Sequence, residues 1–325
     1  MKTYSKNGIV KDVPYFIDVT GEFQIQESEN ETRNRFRYPG DSINYTLDSE
    51  LCRLYDTLRN MVFEDTDKYY QELSMLPIWV QDAGQNSDCC ISVDTFNKWI
   101  SNSNIPNLYK HLYLVDCQFL VGTIQNLLCA MEDAFIRYYK TIAMSNIEEK
   151  YKCLTDPNGT IFVLSQNSTR ASSMIETYFT KAYSILDIIC KICYEIQFMH
   201  EDFSTYKKMK SADVLWGIRK KLTINGTFNT LFEKCDFIST IEALRNEIVH
   251  NGTWELNPKI FIKFENGQVQ ERFMLFPDMT HGHLATTKSR KHFFASEVKV
   301  NDILPHIHSE FKCRLLKTIE IVNKQ

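Results

Sequence analysis

Apolar residues along this chain fall into long stripes of helical period, interrupted near residue 260 by text of period two. Between Leu47 and Leu73, Leu51, Leu54, Tyr55, Leu58, Met61 and Val62 recur at three- and four-residue intervals, which predicts one helix with a single apolar face. Broader stripes predict a long helix from Leu108 or Val115 to Ser145, built on Phe119, Ile124, Leu128, Met131 and Phe135, and another from Thr169 to Met199, built on Ile175, Tyr178, Ala182, Leu186 and Ile189. A third, Thr230 to His250, carries Ile238, Ile241, Leu244 and Ile248 and is stopped by Asn251-Gly252, where glycine relieves a left-handed residue. The closing helix spans Ala295 to Asn323, kinked or begun at Pro305. Neither long stripe can be buried alone, so the helices are expected to pack as antiparallel partners in a bundle.

Elsewhere the pattern is shorter. Val13 to Thr20 and Phe23 to Gln26 read as strands, Tyr38-Pro39-Gly40 as a turn, and Val93 to Ile100 as a short helix capped by Ser92 or Asp94. Thr160 to Leu164 is strand-like or a connection. Ile260 to Phe276 alternates on both sides of Asn266-Gly267, the pair favoured by a two-residue hairpin turn. The irregular text from 74 to 108 separates an N-terminal extension, residues 1–107, from the region 108–325. The fold class expected is mainly α: a helical bundle with a β-hairpin insertion at about 256–277 and an N-terminal α+β extension.

Composition narrows the function. With 43% hydrophobic and 13% aromatic residues the chain can bury a core, and 11 Gly with 8 Pro disfavour the Gly-rich loops of a nucleotide-binding α/β fold. A net charge of -4 means that a polyanion must be held by a local patch and not by the whole surface. Two basic segments qualify, one with Arg219, Lys220 and Lys221 and one with Lys288, Arg290 and Lys291. Most of the 10 Cys, including Cys52, Cys117, Cys129, Cys190, Cys193, Cys235 and Cys313, lie in apolar helical text and are expected to be buried, reduced thiols of a cytoplasmic protein. No apolar run follows Met1 to Gly8, and the apolar stretch Leu112 to Met131 is broken by Asp116, Gln118, Gln125 and Asn126, so neither secretion nor a membrane span is expected. Walker A, G-x-G-x-x-G, H-E-x-x-H and G-x-S-x-G patterns do not occur, and His281-x-His283 and His306-x-His308 lack further ligands at metal spacing; no metal or cofactor is expected.

One segment carries chemistry: Arg245-Asn246-Glu247-Ile248-Val249-His250, at the end of the third helix. Histidine titrates near neutral pH and suits general acid–base work, while a guanidinium clamps phosphate oxygens. Asn246 and His250 share a helix face, and Asn246 is placed to orient a phosphate or the imidazole. Arg245 and His250 stand about 140° apart at 100° per residue, so the arginine must reach round the helix or meet the histidine of a second chain. The competing reading gives Arg245 a surface ion pair with Glu242 or Glu247 and leaves His250 as a helix cap.

The segment resembles the Arg-x4-6-His motif of the HEPN superfamily, whose ribonucleases and toxins carry it on a bundle helix, commonly with a polar residue after the arginine. The resemblance covers roughly residues 110–325, with the hairpin as an insertion. It implies catalytic roles for Arg245, Asn246 and His250, a homodimer joined through the motif-bearing helices, metal-free cleavage of RNA, and a toxin or defence effector with an antitoxin or regulatory partner. The superfamily also includes members without nuclease activity, which implies, as the alternative, a dimerisation and docking protein.

Overall fold

The computed structural model describes residues 2–4, 10–12, 43–143, 157–204 and 227–324, and these are mainly helical. The α-helices are α1 (Asn44–Val62), α2 (Thr66–Leu73), α3 (Val93–Asn102), α4 (Leu108–Ala143), α5 (Gln166–Gln197), α6 (Asp236–Asn251) and α7 (Val300–Val322). Short strands accompany them: β1 (Lys2–Tyr4) pairs antiparallel with β2 (Val10–Asp12), β3 (Gly159–Val163), β4 (Ile260–Glu265) and β5 (Gln268–Phe273) form one sheet in that order, and β6 (Met279–Thr280) pairs with β7 (His283–Leu284). The strands expected at Val13 to Thr20 and Phe23 to Gln26 lie outside the described residues, as do Arg219, Lys220 and Lys221.

Two compact units emerge, and neither is a single stretch of chain. One comprises Met1–Leu47, Asn126–Leu186 and Gly226–Thr318; the other comprises Asp48–Gln125, Asp187–Asn225 and Ile319–Gln325. In the first, Phe135, Tyr138, Tyr178, Phe179, Trp254 and Phe311 are fully buried. In the second, Leu51, Leu54, Leu58, Tyr113, Cys117 and Ile192 fill the core. One helix, over Leu108–Ile142, is long and apolar enough to cross a membrane by length and composition. It nevertheless carries polar partners along its length: Tyr113 donates to Glu195 at 2.9 Å in one unit, and Glu132 accepts from Lys312 at 2.6 Å in the other.

Local chemistry explains where elements begin and end. The helix expected over 47–73 is two helices, because Asp65 caps the second: its carboxylate accepts from the Lys68 amide at 3.1 Å in extended backbone. The motif helix begins at Asp236 and not at Thr230: residues 228–233 form turns, in which the Thr230 carbonyl accepts from the Glu233 amide at 3.4 Å and from Arg314 at 3.2 Å, and the Leu231 amide donates to Thr318 at 3.0 Å. Gly252, at φ 85°, closes α6 through its amide to Ile248 at 3.0 Å, as the sequence leads one to expect. Three of the thiols expected to be buried, Cys52, Cys129 and Cys313, are exposed: helical text alone does not say which face a small residue takes. Cys117, Cys190 and Cys193 are buried, and burial pushes the Cys117 thiol up to about 12, far from a nucleophilic thiolate.

Pro305 is the sixth residue of α7 and offers no N–H to the Asn301 carbonyl one turn back. The Tyr139 hydroxyl occupies that carbonyl at 2.8 Å. The Asn301 side chain accepts from Tyr138 at 2.6 Å and donates to the Arg272 carbonyl at 2.9 Å, so one buried asparagine ties the start of α7 to α4 and β5.

Asn266-Gly267 makes the expected hairpin, with φ of 53° and 73°. The strand-like segment near 160 supplies its third strand, β3, in register Phe162↔Phe261 and Val163↔Ile260. Ile260, Ile262 and Phe264 face inward, while Phe162, Phe261 and Phe273 form a row on the other face.

Buried histidines make the stability pH-dependent. His308 is stacked on Phe135 at 4.5 Å, and burial, helped by the Lys312 charge, holds its pKa well below the usual value. In the other unit burial lowers His111 against the opposing pull of Glu72, 3.2 Å away; Glu72 itself ends below its ordinary value because hydrogen bonds from Asn107 and His111 outweigh its burial. All three folded-state pKa values are depressed. The two histidines therefore contribute stability that is complete above about pH 6.5, their unfolded value, and lost as pH falls below it; Glu72 adds a loss at lower pH still. Melting temperature is expected to be near level from about pH 8 to 7 and to fall from about pH 6.5 downward, with a shallower slope in His308→Asn. A profile flat from pH 7 to 5 would show that these histidines are not buried neutral.

Candidate functional site

Helix α6 presents the motif. Ile238, Ile241, Leu244 and Glu247 occupy its buried side, Arg245 and Asn246 are half-buried, and His250 stands exposed in the last turn. The Arg245 guanidinium lies 4.7 Å from the Tyr183 ring centroid of α5 and donates to the Asn246 side-chain oxygen at 2.9 Å. That hydrogen bond joins the guanidinium to the residue that shares a helix face with His250. Neither Glu242 nor Glu247 forms the ion pair with Arg245 that the competing reading expects. Burial pushes the Glu242 carboxyl up, opposed by the charges of His283 and Arg245 nearby.

Glu247 has other partners. Its two carboxylate oxygens take Lys291 at 2.9 Å and His292 at 3.4 Å. This brings the second basic segment onto the motif helix. Lys288 and Arg290 are exposed at a tight turn closed by reciprocal Thr287 and Arg290 backbone hydrogen bonds of 3.0 Å. Lys291 is thus engaged by an acid, where its sequence context points to RNA.

The segments flanking α6 fix its ends. Trp254 donates to Ser172 at 2.9 Å and Thr253 to Glu176 at 2.6 Å, which holds the chain after His250 against α5. The β6–β7 turn, with His281 at φ 48° and Gly282 at φ 75°, sits on the first turn of α6. A Cβ on Gly282 would stand 2.5 Å from the Ser239 Cβ and closer still to the Asp236 carbonyl oxygen. Gly282→Ala is therefore expected to add about 1–2 kcal/mol of left-handed strain to about 1–3 kcal/mol of overpacking. Thermal melting, with faster amide exchange over 279–284 and the start of α6, reads this out. An unchanged melt would mean the turn does not bear on the helix.

The paired-histidine patterns do not converge. His281 lies in the turn 3.8 Å from Asp236, and His283, two residues on, begins β7; His308 is buried while His306 is exposed. Among the described residues no group of three or more His, Cys, Asp or Glu is placed to hold a metal ion. Tyr183 and the Glu247 pairings were not readable from the sequence, because their partners lie far away in the chain and no spacing rule connects them.

Fold and site together define a mainly helical protein with a small antiparallel sheet and an arginine–asparagine–histidine motif at the end of one helix. Compared with known protein families, curated proteins and solved structures, the chain matches none.

Proposed function

We propose that this chain is a metal-independent endoribonuclease with its site on α6, His250 and Arg245 acting on the scissile phosphate and Asn246 orienting it. The observation that carries the reading is the contact of Glu247 with Lys291 and His292, which brings the basic 288–292 segment against the motif helix. His250 takes the proton of the RNA 2'-hydroxyl, O2' bonds to phosphorus, and the bond to the 5'-oxygen breaks as that oxygen gains a proton. The guanidinium of Arg245 stabilises the charge gathering on the phosphate oxygens. Products are a 2',3'-cyclic phosphate and a 5'-hydroxyl. DNA lacks the internal nucleophile and is not cleaved.

By analogy with the HEPN superfamily it resembles, the protein acts as a cytoplasmic homodimer joined through the motif-bearing helices, as a toxin or defence effector restrained by an antitoxin or other regulatory protein. Two copies supply one histidine as base and the other as acid. Val249 and Leu256, 49% and 81% exposed around His250, support an apolar contact there. The same residues favour the second reading, a non-catalytic dimerisation protein. Labelled single-stranded RNA incubated with the protein in chelator separates the two: cleavage leaving a 2',3'-cyclic phosphate supports the enzyme, and intact RNA with a folded dimer supports the scaffold.

A further inference from the structure

Within the motif, Glu247 is the buried acid. A carboxylate out of water is held only when its charge is matched, and here Lys291 bonds one oxygen at 2.9 Å while the next residue of the same loop, His292, sets a ring nitrogen 3.4 Å from the other. The loop is fixed on either side of that anchor. Before it, the Thr287–Arg290 turn is closed by two backbone hydrogen bonds of 3.0 Å, with Lys288 at φ 52° near its tip. After it, the Phe293 carbonyl accepts from the Asp278 amide at 2.7 Å, and the Asp278 carboxylate takes the Ala295 and Ser296 amides at 2.8 and 2.9 Å. Lys288 and Arg290 are left exposed on a short, ordered turn.

We propose that Glu247 is a positioning residue which clamps the 287–292 loop to the motif helix through Lys291 and His292, so that Lys288 and Arg290 hold RNA phosphates flanking the cleavage site. This rests on the ribonuclease reading given above. It separates the three cations of the segment into one anchor, Lys291, and two phosphate ligands. A cation on an ordered loop loses less freedom on binding than one on a loose loop, so the clamp acts on affinity for RNA and acts little on the bond-breaking step.

Glu247→Gln keeps the shape of the side chain and removes its charge. Amide exchange over residues 287–293 is expected to quicken in this variant without RNA present. The KM for a labelled single-stranded RNA should rise roughly tenfold, with kcat moving less. Lys291→Met should reproduce both effects, and the double variant should be no worse than either single one. Lys288→Ala with Arg290→Ala should lower the slope of log affinity against log salt by about 1.4, roughly 0.7 for each phosphate of a single strand that is no longer neutralised. Lys291→Met should leave that slope alone. Unchanged loop exchange in both Glu247→Gln and Lys291→Met overturns the clamp, whatever the RNA result. A quickened loop with unchanged KM overturns its role in binding RNA. Wild-type protein that neither binds nor cuts RNA overturns the ribonuclease reading, and the exchange measurement still decides the role of Glu247.

Discussion

His250→Ala is expected to lower the rate of RNA cleavage about 10²–10⁴-fold, the usual worth of a positioned general acid or base. Arg245→Ala should lower it about 10²–10³-fold, comparable to removing one group that stabilises charge in the transition state. Both residues lie outside the buried core, so the folded state should barely change; Arg245 forfeits about 0.5–1 kcal/mol from its contact with Tyr183. Arg245→Lys should fail to restore activity, because an ammonium cannot reproduce the planar fork that both bonds Asn246 and grips two phosphate oxygens. If two chains build one site, mixing His250→Ala with Arg245→Ala protein should recover part of the activity through heterodimers. Cleavage that survives either alanine variant at near wild-type rate removes the motif from the mechanism.

The largest expected effect on stability comes from an ion pair in the same unit. Lys312 is 1% exposed and its ammonium bonds Glu132 at 2.6 Å, while Glu132 is 29% exposed and also accepts from Asn44 at 2.9 Å. Removing one side is therefore unlike removing the other. Glu132→Ala strands a positive charge in the core and should cost about 3–5 kcal/mol. Lys312→Met fills the same space without charge and leaves Glu132 with solvent and Asn44, so its cost should be small. Denaturant unfolding of both variants checks this, and equal losses would mean that Lys312 reaches water. A loss this large is a sizeable share of the roughly 5–15 kcal/mol that holds a typical domain folded.

Much of the fold was legible because long apolar stripes and turn chemistry are local. The stripes on α4 and α5, the stop at Gly252 and the Asn266-Gly267 hairpin depend on residues a few positions apart. Misreadings arose at element boundaries: residues 228–233 form turns, tied to α7 by Arg314 and Thr318, although their apolar positions continue the stripe of α6. The break between α1 and α2 was local in cause, yet Asp65 lies in an otherwise helical pattern and gives no sign of capping until its amide partner is seen. Arg245, Asn246 and His250 could be picked out by type and spacing. The guanidinium's seat on Tyr183, and the pairing of Glu247 with a loop more than forty residues away, could not.

Pro305 and Tyr139 are bound together in a way that concerns how this sequence can change. The hydroxyl of Tyr139 serves the one carbonyl that the proline leaves without a helical partner. Phenylalanine at 139 would orphan that buried carbonyl as long as proline stays at 305. With alanine at 305 the helix supplies its own N–H, and the hydroxyl becomes dispensable. The two positions form a conditional pair: the order in which substitutions arrive decides whether the second is tolerated, and sequences descended from this one should lose the tyrosine hydroxyl only after they have lost the proline.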